Sequence, residues 1–516
     1  MTENKSKNRR IVSNSFFLTV RMLFLMFISF YTSRVVLDKL GFVDYGINSV
    51  VGGLTSMFAF FRSSLSNVTQ RYLNVELGKD NIDGAHRIFC QHQTLYIIIS
   101  VFVVFAAETL GLWFFYNNLV IPAERYEAAF WVYQFMVVSL VVTLLSVVYD
   151  SAIVAHENFK IYAYIGIFEG VSKLGIALLL SIISFDRLIT FALLLFLLSI
   201  FVRLFYTIFC QYHYKECHFH FDFNRQAFKD AFGLIGWNTL GTAVFAINSQ
   251  GIDILLNIFF GPIVNAAKSI SSHISSAVMI FTNSFYASIR PQLTKSYAAH
   301  DTEYMLRLFY QSSKYGFLIL WLVCLPTMMC IDFLLDIWLK DVPAYTSSFA
   351  ILVMCYALVN VLNDPIWSLA LAVGRLKWYI IIGSGVFLLT FPISYVFLRM
   401  GSSPESVFII NTSVRAVYVV VVLHLIQSYV PITKREYMTK VLFPITMVVI
   451  SSGGLCVLCN AYFPEFYLRW IIVAIFCALI TLICIWTIGL SKNERCFLYK
   501  MLYDKLCIGV SPPIKK

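Results

Sequence analysis

Charged residues and long polar segments are both scarce in this sequence. Only 13% of its 516 residues are charged, whereas 59% are hydrophobic. No polar stretch is long enough to bury a core of its own, which excludes a water-soluble enzyme domain, and we expect no enzymatic activity. The chain also lacks a phosphate-binding glycine loop that ends in Lys-Ser or Lys-Thr, so we do not expect it to hydrolyse ATP.

The twelve cysteines do not predict a disulfide framework. Nearly all of them lie in apolar runs or in loops expected on the reducing side of a membrane. Five Cys and His residues do cluster in one loop, namely Cys210, His213, Cys217, His218 and His220. Metal ligation and the packing of alternating aromatic rings against the membrane edge both fit this loop. We favour packing, and predict neither a metal nor a cofactor.

What the sequence has instead is a series of hydrophobic runs. A run of roughly 20 apolar residues spans the ~30 Å hydrocarbon layer as a helix, whose backbone is satisfied internally. The predicted fold class is therefore an all-α polytopic membrane protein of about fourteen transmembrane helices. The predicted spans are 11–36, 43–65, 94–116, 128–149, 161–183, 188–211, 232–256, 263–288, 312–334, 347–369, 378–398, 407–429, 441–459 and 470–490.

The distribution of Lys and Arg predicts that both termini are cytoplasmic. Basic residues crowd the segment before the first span, from Lys5 to Arg10, and the tail after residue 490. The loops assigned to the opposite side hold few of them. Topology thus accounts for much of the formal net charge of +11, and we do not expect a nucleic-acid partner.

The two halves of the chain repeat each other with a shift of about 220 residues. Leu37–Gly41 aligns with Asn257–Gly261, and Arg87–Gln91 aligns with Arg307–Gln311. Because each repeat holds six spans, both halves have the same orientation, as in transporters built from parallel repeats around a cavity. The predicted domains are an N-terminal six-helix bundle at 1–213, a cytoplasmic linker at 214–231, a C-terminal six-helix bundle at 232–430, two additional transmembrane helices at 431–490 and a basic cytoplasmic tail at 491–516.

Three local features accompany this plan: the motif Leu40–Gly46 at the start of span two, the loop from Gln70 to Asp80, and the polar seventh span that runs from Asn238 through Asp253 to Gly261. With the count of fourteen spans, they resemble the polysaccharide-transport branch of the multidrug/oligosaccharidyl-lipid/polysaccharide (MOP) flippase superfamily, the Wzx-type O-antigen flippases. The resemblance covers essentially the whole chain. It implies a MATE-like arrangement of two six-helix repeats plus two extra C-terminal helices.

The resemblance also implies a function. The chain would move undecaprenyl-pyrophosphate-linked oligosaccharide across a bacterial inner membrane during O-antigen and lipopolysaccharide biosynthesis. Its implied partners are that lipid-linked oligosaccharide, the surrounding membrane lipids, and the polysaccharide polymerase with its chain-length machinery. Spans one, two, seven and eight would line the cavity.

Ionisable and polar residues inside the predicted spans, together with Arg290 at the cytoplasmic end of the eighth, are the candidate site residues, because each charge costs ~2.5–3.5 kcal/mol at mid-helix on insertion scales. Cations outnumber acids there, which predicts an unpaired positive excess suited to a diphosphate. The candidate ion-coupling residues are Glu169 and Asp253. A role in salt bridges or at helix ends is the competing interpretation for each charge. The candidate substrate-binding residues are Arg21, Arg62, Lys173, Asn238, Asn248, Lys268, Arg290 and Arg415.

The main alternative is a MATE-type multidrug or cation antiporter, which shares the plan of two six-helix repeats. Resemblance to that branch would imply twelve spans and acid-lined lobes, whereas this sequence has two more spans and a basic excess. A membrane-bound glycosyltransferase is a second alternative, but the predicted external loops, for example 117–127 and 340–346, leave little room for a catalytic site. A channel would need a filter-like segment, which the sequence does not contain.

Overall fold

A computed structural model describes the backbone of residues 2–56, 60–156, 158–222, 225–374, 376–462, 469–492 and 494–496, and most side chains from residue 24 onward. Within this part of the chain all regular structure is helical, which confirms the predicted all-α class. The α-helices are α1 (Thr2–Ser56), α2 (Phe60–Gly78), α3 (Ile82–Ala106), α4 (Leu112–Asn118), α5 (Tyr126–Ala155), α6 (Phe159–Leu179), α7 (Arg187–His213), α8 (Arg225–Phe260), α9 (Pro262–Ala298), α10 (Thr302–Met329), α11 (Ile331–Trp338), α12 (Thr346–Asn360), α13 (Asn363–Val373), α14 (Leu376–Leu388), α15 (Thr390–Arg399), α16 (Glu405–Ile426), α17 (Lys434–Tyr437), α18 (Phe443–Tyr462) and α19 (Arg469–Cys484). Short π-helical turns lie at Ala107–Gly111, Met438–Leu442 and Ile485–Gly489, and 3₁₀ turns at Ala123–Arg125 and Lys215–Cys217.

Eleven helical segments among the described residues are long and apolar enough to cross a membrane. They match the third to seventh and the ninth to fourteenth predicted spans. The first and eighth predicted spans fall on α1 and α9, and the second falls on the end of α1 and the start of α2. The chain is therefore a multi-pass membrane protein.

The two parts of α1 meet at Gly41, where the backbone leaves the helical region. Gly41 has φ 78° and ψ 174°, a combination that is essentially restricted to glycine. Gly261, its partner in the sequence repeat, separates α8 from α9 and has the same φ of 78°. After the turn at Gly41, the backbone of α1 packs closely against the start of α9. A Cβ on Gly46 would lie 1.9 Å from the carbonyl oxygen of Pro262. The repeat thus places the same backbone turn at corresponding positions of the two halves.

The repeat also extends to the ends of the helices. Asp80 and His300 both adopt a left-handed φ, of 55° and 56°, after a helix ends. The next residue in each half, Asn81 or Asp301, accepts a hydrogen bond from the backbone N–H three residues further on and so caps the following helix. A shift of 220 residues (300 − 80) relates the two turns, which is the register that the sequence alignment indicates.

Packing divides the chain into two compact units. The first comprises Met1–His273, Trp338–Phe349 and Ile380–Val414, and the second comprises Ile274–Ile337, Ala350–Tyr379 and Arg415–Lys516. Packing and a sequence repeat divide a chain by different criteria. The predicted bundles at 1–213 and 232–430 therefore stay a prediction.

Helix α5 lies at the centre of the first unit. One group of buried apolar side chains joins it to α3, with Phe89 and Leu144 as members. A second group joins it to α1 and α7, with Ile47, Val132 and Leu188 as members. Lipid chains are as apolar as these side chains, so close van der Waals packing rather than the exclusion of water holds such helices together.

Candidate functional site

The first unit contains a polar cavity of about 490 Å³ that is lined by α1, α6, α7 and α9. This volume falls within the ~300–1,000 Å³ of typical small-molecule sites. Both parts of α1 contribute, so the turn at Gly41 helps to shape the lining. The hydroxyl and amide groups in the lining of the cavity can donate hydrogen bonds to a hydroxyl-rich ligand and accept hydrogen bonds from it. The lining residues are Leu25, Ile28, Ser29, Thr32, Ser33, Val36, Tyr45, Asn48, Ser49, Gly166, Glu169, Gly170, Lys173, Phe191, Ser269 and His273.

Two of the predicted site residues, Glu169 and Lys173, supply opposite charges to this cavity. They lie four residues apart on α6, and Lys173 Nζ is 2.6 Å from Glu169 Oε1. The side chain of Lys173 is 48% exposed and that of Glu169 is 41% exposed. Because both side chains line the cavity, packing does not lock this ion pair in place. Lys173 can therefore turn from Glu169 to an anionic group of a ligand.

A second ion pair in the first unit is buried. Lys268 Nζ on α9 lies 2.7 Å from Asp253 Oδ2 on α8. Asn265 donates a hydrogen bond of 2.7 Å to the carbonyl oxygen of Asp253, which fixes the two helices around the turn at Gly261. Among the described residues, Asp253 Oδ1 has no hydrogen-bond partner. The carboxylate therefore retains an acceptor for a proton or for another donor.

Helix α1 approaches the Asp253 side of α8 closely. A Cβ on Gly53 would lie 3.2 Å from Gln250 Oε1 and 3.7 Å from Asp253 Cβ. The absence of a side chain at this position lets the two helices bring polar groups together. Tight approach through small residues is typical of helix packing in membranes.

Arg62 forms an ion pair that the sequence analysis did not predict. Its Nη2 lies 3.0 Å from Asp150 Oδ2, at the end of α5. The Asp150 side chain is only 10% exposed, whereas that of Arg62 is 50% exposed. Asp150 comes directly after the predicted span 128–149. It was therefore not among the charges predicted to lie inside spans.

Further predicted cations lie in the second unit. Arg290 Nη2 on α9 is 3.7 Å from Asp364 Oδ1 on α13. Arg415 on α16 is buried, and its guanidinium lies over the ring of Tyr418, 4.3 Å from the centroid. Stacking on an aromatic face is a common environment for a desolvated guanidinium.

The remaining predicted residues are polar or lie outside the described side chains. Asn248 is buried in the first unit, and its Nδ2 donates a hydrogen bond of 3.3 Å to Asn411 Oδ1. Arg21 and Asn238 belong to α1 and α8, but their side chains are not among those described. Of the eight predicted residues whose side chains are described, Glu169 and Lys173 lie in the lining of the cavity.

For four of the candidate cations the structure supports the competing interpretation, a salt bridge, so the positive excess is smaller than expected. Arg62, Lys173, Lys268 and Arg290 each lie within 4 Å of a carboxylate. A lone charge in a membrane-spanning helix is costly, and an opposite charge at hydrogen-bonding distance offsets much of that cost. Glu169 is the only one of the four acidic partners that lies within about one helical turn of its cation in the sequence.

No family model and no curated protein matches this chain. Several solved structures do match. The lipid II flippase MurJ in an inward closed conformation is similar with a TM-score of 0.64 at 13% identity, and the match covers 94% of this chain and 99% of that one. The chain has the fold of MOP superfamily transporters. A multidrug resistance MATE family transporter of that superfamily, in an inward-facing conformation, is similar with a TM-score of 0.59 at 13% identity, over 78% of this chain and 93% of that one.

The MOP fold of this chain extends beyond what the MATE structures cover. A MATE protein in a bent conformation is similar with a TM-score of 0.56 at 13% identity, over 83% of this chain and 97% of its own. Both MATE structures are thus matched almost completely while leaving part of this chain unmatched. The MurJ structure matches nearly the full length of both chains. Length therefore relates this chain more closely to the MurJ arrangement than to the MATE arrangement.

Proposed function

We propose that this protein is a flippase. It moves undecaprenyl-pyrophosphate-linked oligosaccharide repeat units from the cytoplasmic to the periplasmic leaflet of a bacterial inner membrane by alternating access, for surface polysaccharide and O-antigen biosynthesis. The observation that carries the proposal is the polar cavity in the first unit, which presents an exchangeable cation in a chain with the MOP fold. The fold likeness to a lipid II flippase over nearly the whole chain supports the same substrate class.

The chemistry of the cavity suits the headgroup of such a substrate. Lys173 offers an ammonium group to a phosphate oxygen once Glu169 releases it, and a charge-assisted hydrogen bond of this kind is stronger than a neutral one. Ser29, Thr32 and Asn48 offer donors and acceptors to sugar hydroxyl groups. The polyprenyl chain stays in lipid. Rocking of the two predicted halves, 1–213 and 232–430, would then expose the headgroup to the opposite side.

The buried pair of Asp253 and Lys268 is the proposed point of ion coupling. Protonation of Asp253 would remove the partner of Lys268 and change the charge of this part of the first unit. Glu169 is the second candidate, because its protonation would free Lys173 within the cavity. Transport into vesicles with the ion gradient collapsed tests the idea. Undiminished flipping would remove coupling from the proposal and leave the flippase assignment standing.

One observation favours a second function, a MATE-type cation antiporter. Four predicted cations are neutralised by carboxylates, so the positive excess that favours an anionic cargo is smaller than the sequence suggests. The two functions differ in the effect of the Glu169 and Lys173 substitutions. A cationic cargo needs the carboxylate of Glu169, whereas a diphosphate needs the ammonium of Lys173.

The test uses a strain that lacks this protein and carries variants on a plasmid. We expect the empty strain to accumulate finished lipid-linked repeat units on the cytoplasmic face. Lys173→Gln should lower the rate of flipping about ten- to a hundredfold, the size expected when a hydrogen bond to a charged group is lost. Glu169→Gln should retain more activity than Lys173→Gln.

Glu436 and Lys440 provide the matched control. They form another Glu–Lys pair four residues apart, with Nζ 2.7 Å from Oε1 and similar exposure, but they do not line the cavity. Lys440→Gln should leave flipping unchanged. Normal flipping by Lys173→Gln would contradict the proposed role of the cavity, and absence of the repeat unit itself from the empty strain would point to synthesis instead.

A further inference from the structure

The segment after α7 folds back against α3 and brings three potential metal ligands together. His86 and Cys90 lie four residues apart on α3 and therefore on one helix face. His220 comes from the segment that follows the 3₁₀ turn Lys215–Cys217. The donor atoms of these three residues all lie within 4.8 Å of one another. Only His220 belongs to the Cys and His cluster that the sequence analysis singled out.

The ring of His86 is oriented as a metal-binding imidazole usually is. Its Nδ1 lies 2.9 Å from the backbone carbonyl oxygen of Glu216. An N–H at Nδ1 donates to that oxygen and leaves the lone pair of Nε2 free, and both ring nitrogens lie 4.0 Å from Cys90 Sγ. A histidine ligand typically donates its second ring N–H to a carbonyl or carboxylate in this way, which fixes both the tautomer and the direction of the ring.

The sulfur of Cys90 is the buried member of the site. Cys90 Sγ lies 3.1 Å from His220 Nδ1, and the backbone N–H of His220 is directed at the sulfur with the nitrogen 3.5 Å away. A metal binds the thiolate form of cysteine, so binding displaces the thiol proton. As a thiol, Cys90 donates to the backbone oxygen of His218 at 3.5 Å.

The neighbouring thiols are less suited to a metal. The Cys217 thiol donates a hydrogen bond to Cys210 Sγ, and this bond together with burial raises the pKa of Cys217 well above its ordinary value. Cys210 itself donates to the backbone oxygen of Tyr149 at 3.6 Å. The side chain of His213 is exposed and hydrogen-bonds to the backbone oxygen of Phe209.

We propose that His86, Cys90 and His220 form a binding site for Zn²⁺ or a divalent metal of similar ligand preference. Imidazole and thiolate are its usual ligands, with Zn–N near ~2.0–2.1 Å and Zn–S near ~2.3 Å, whereas Mg²⁺ and Ca²⁺ select oxygen ligands. Binding forms a bond between the metal and Cys90 Sγ and releases the thiol proton to solvent. His220 is exposed, so water completes a four-coordinate site.

The metal fastens the segment Lys215–Asp222 to α3. His86 and Cys90 belong to the helix and His220 to the segment, so one ion joins residues that lie 130 positions apart in the chain. Gln91 Nε2 donates to Asp222 Oδ2 at 3.0 Å and supports the same contact. This role does not depend on what the protein transports.

The test measures Zn²⁺ binding to the purified full-length protein by competition with a chromophoric chelator. We expect one site per chain that the His220→Ala variant weakens by more than the roughly 10–100-fold that loss of an outer partner costs. His220 is exposed, so its removal leaves the packed core intact. His213→Ala, an equally exposed imidazole of the same region, is the matched control and should bind as the wild type does.

Cobalt provides a second measurement that does not rely on affinity. Co²⁺ in the wild-type protein should show a sulfur-to-metal charge-transfer band that Cys90→Ser abolishes and His213→Ala retains. A charge-transfer band that survives in Cys90→Ser, or equal Zn²⁺ affinity for His220→Ala and the wild type, would overturn the proposal. Loss of flipping without loss of metal would leave this site standing, so the two proposals fail separately.

Discussion

Asp253 and Lys268 place opposite charges side by side in a part of the first unit where both side chains are largely buried, with 7% and 15% exposure. Such a pair gains little over an apolar pair of the same size, because both charges must lose their hydration. Removing one partner is far more costly, since the other charge then stays buried without compensation. The pair is therefore a sensitive point for both folding and coupling.

Single and double substitutions separate the cost of one unpaired buried charge from the net contribution of the ion pair to stability. We expect Asp253→Asn or Lys268→Met alone to destabilise the protein by about 3–5 kcal/mol, and the double variant to recover much of that loss. The unfolding midpoint in detergent measures the effect. Lys440→Met in the exposed pair with Glu436 should change the midpoint little. Additive losses in the Asp253 and Lys268 double variant would contradict a direct pair.

Arg125, which directly precedes α5, joins three elements of the first unit. Its Nε and Nη2 lie 2.7 and 2.6 Å from the two carboxylate oxygens of Asp44 on α1, and Nη2 lies 3.1 Å from Asp186 Oδ1. Asp186 also caps α7 by accepting hydrogen bonds from the backbone N–H groups of Leu188 and Ile189. A single guanidinium thus holds α1, the start of α5 and the start of α7 together.

The Asp186 carboxylate predicts a pH dependence. Burial alone would raise its pKa, but the hydrogen bonds from Arg125 and from the backbone N–H groups lower the pKa of Asp186 below its ordinary value. Its stabilising contribution is therefore present above that ordinary value and is lost as the pH falls through the lowered pKa. We expect the difference in unfolding midpoint between the wild type and Asp186→Asn to be large at neutral pH and to shrink in acid. Asp336→Asn, at an exposed carboxylate, should show no such trend; an equal trend for both would contradict the prediction.

At the scale of helices, the sequence predicts the parts of the fold that depend on local pattern. Apolar runs indicate the spans, and the repeat aligns Gly41 with Gly261, which adopt the same positive φ. Contacts between distant helices leave no such pattern. Asp150 meets Arg62 across 88 residues, and Cys90 meets His220 across 130 residues. Their partners could not be predicted because only the folded helices bring them together.

Helix α3 shows the same limit at a helix boundary. The predicted span begins at residue 94, whereas α3 begins at Ile82. Residues 82–93 of the helix are polar enough that the sequence pattern predicts a loop there. Asn81 caps them and Phe89 packs into the core, so tertiary contacts extend the helix beyond its apolar run.

The turn at Gly41 yields a prediction at this scale. Gly41→Ala places a side chain at φ 78°, ψ 174°, where strain costs about 1–3 kcal/mol although no other atom lies within 4 Å of the new Cβ. Gly175→Ala is the matched control, because its site is equally open but lies within α6. We expect Gly41→Ala to lower the unfolding midpoint and Gly175→Ala to leave it unchanged or raise it. Equal midpoints for the two variants would show that the turn is not strained.

At the scale of the whole molecule, the two helices beyond the repeat are part of the second unit. Both α18 and α19 pack against α10. Trp321 Nε1 on α10 donates a hydrogen bond of 2.9 Å to Ser452 Oγ on α18. Lys314 Nζ on α10 lies 2.9 and 2.7 Å from the two carboxylate oxygens of Glu494, just after α19. These contacts are largely buried. The C-terminal segment thus supplies hydrogen-bond acceptors to the Lys314 and Trp321 side chains of α10.

A chain that ends at residue 430 should therefore fail to fold stably, even though it retains both predicted six-helix bundles. Lys314 is only 5% exposed and would lose the carboxylate of Glu494, and the indole N–H of Trp321 would lose its acceptor. The full chain with Glu494→Gln isolates the first effect and should lose about 3–5 kcal/mol of stability. Glu303→Gln, which breaks the exposed pair with Arg307, should lose almost nothing. Size-exclusion profiles and unfolding midpoints in detergent measure all three. A truncated chain as monodisperse and as stable as the full one would mean that the twelve-helix plan is self-sufficient and that the C-terminal helices serve only the substrate.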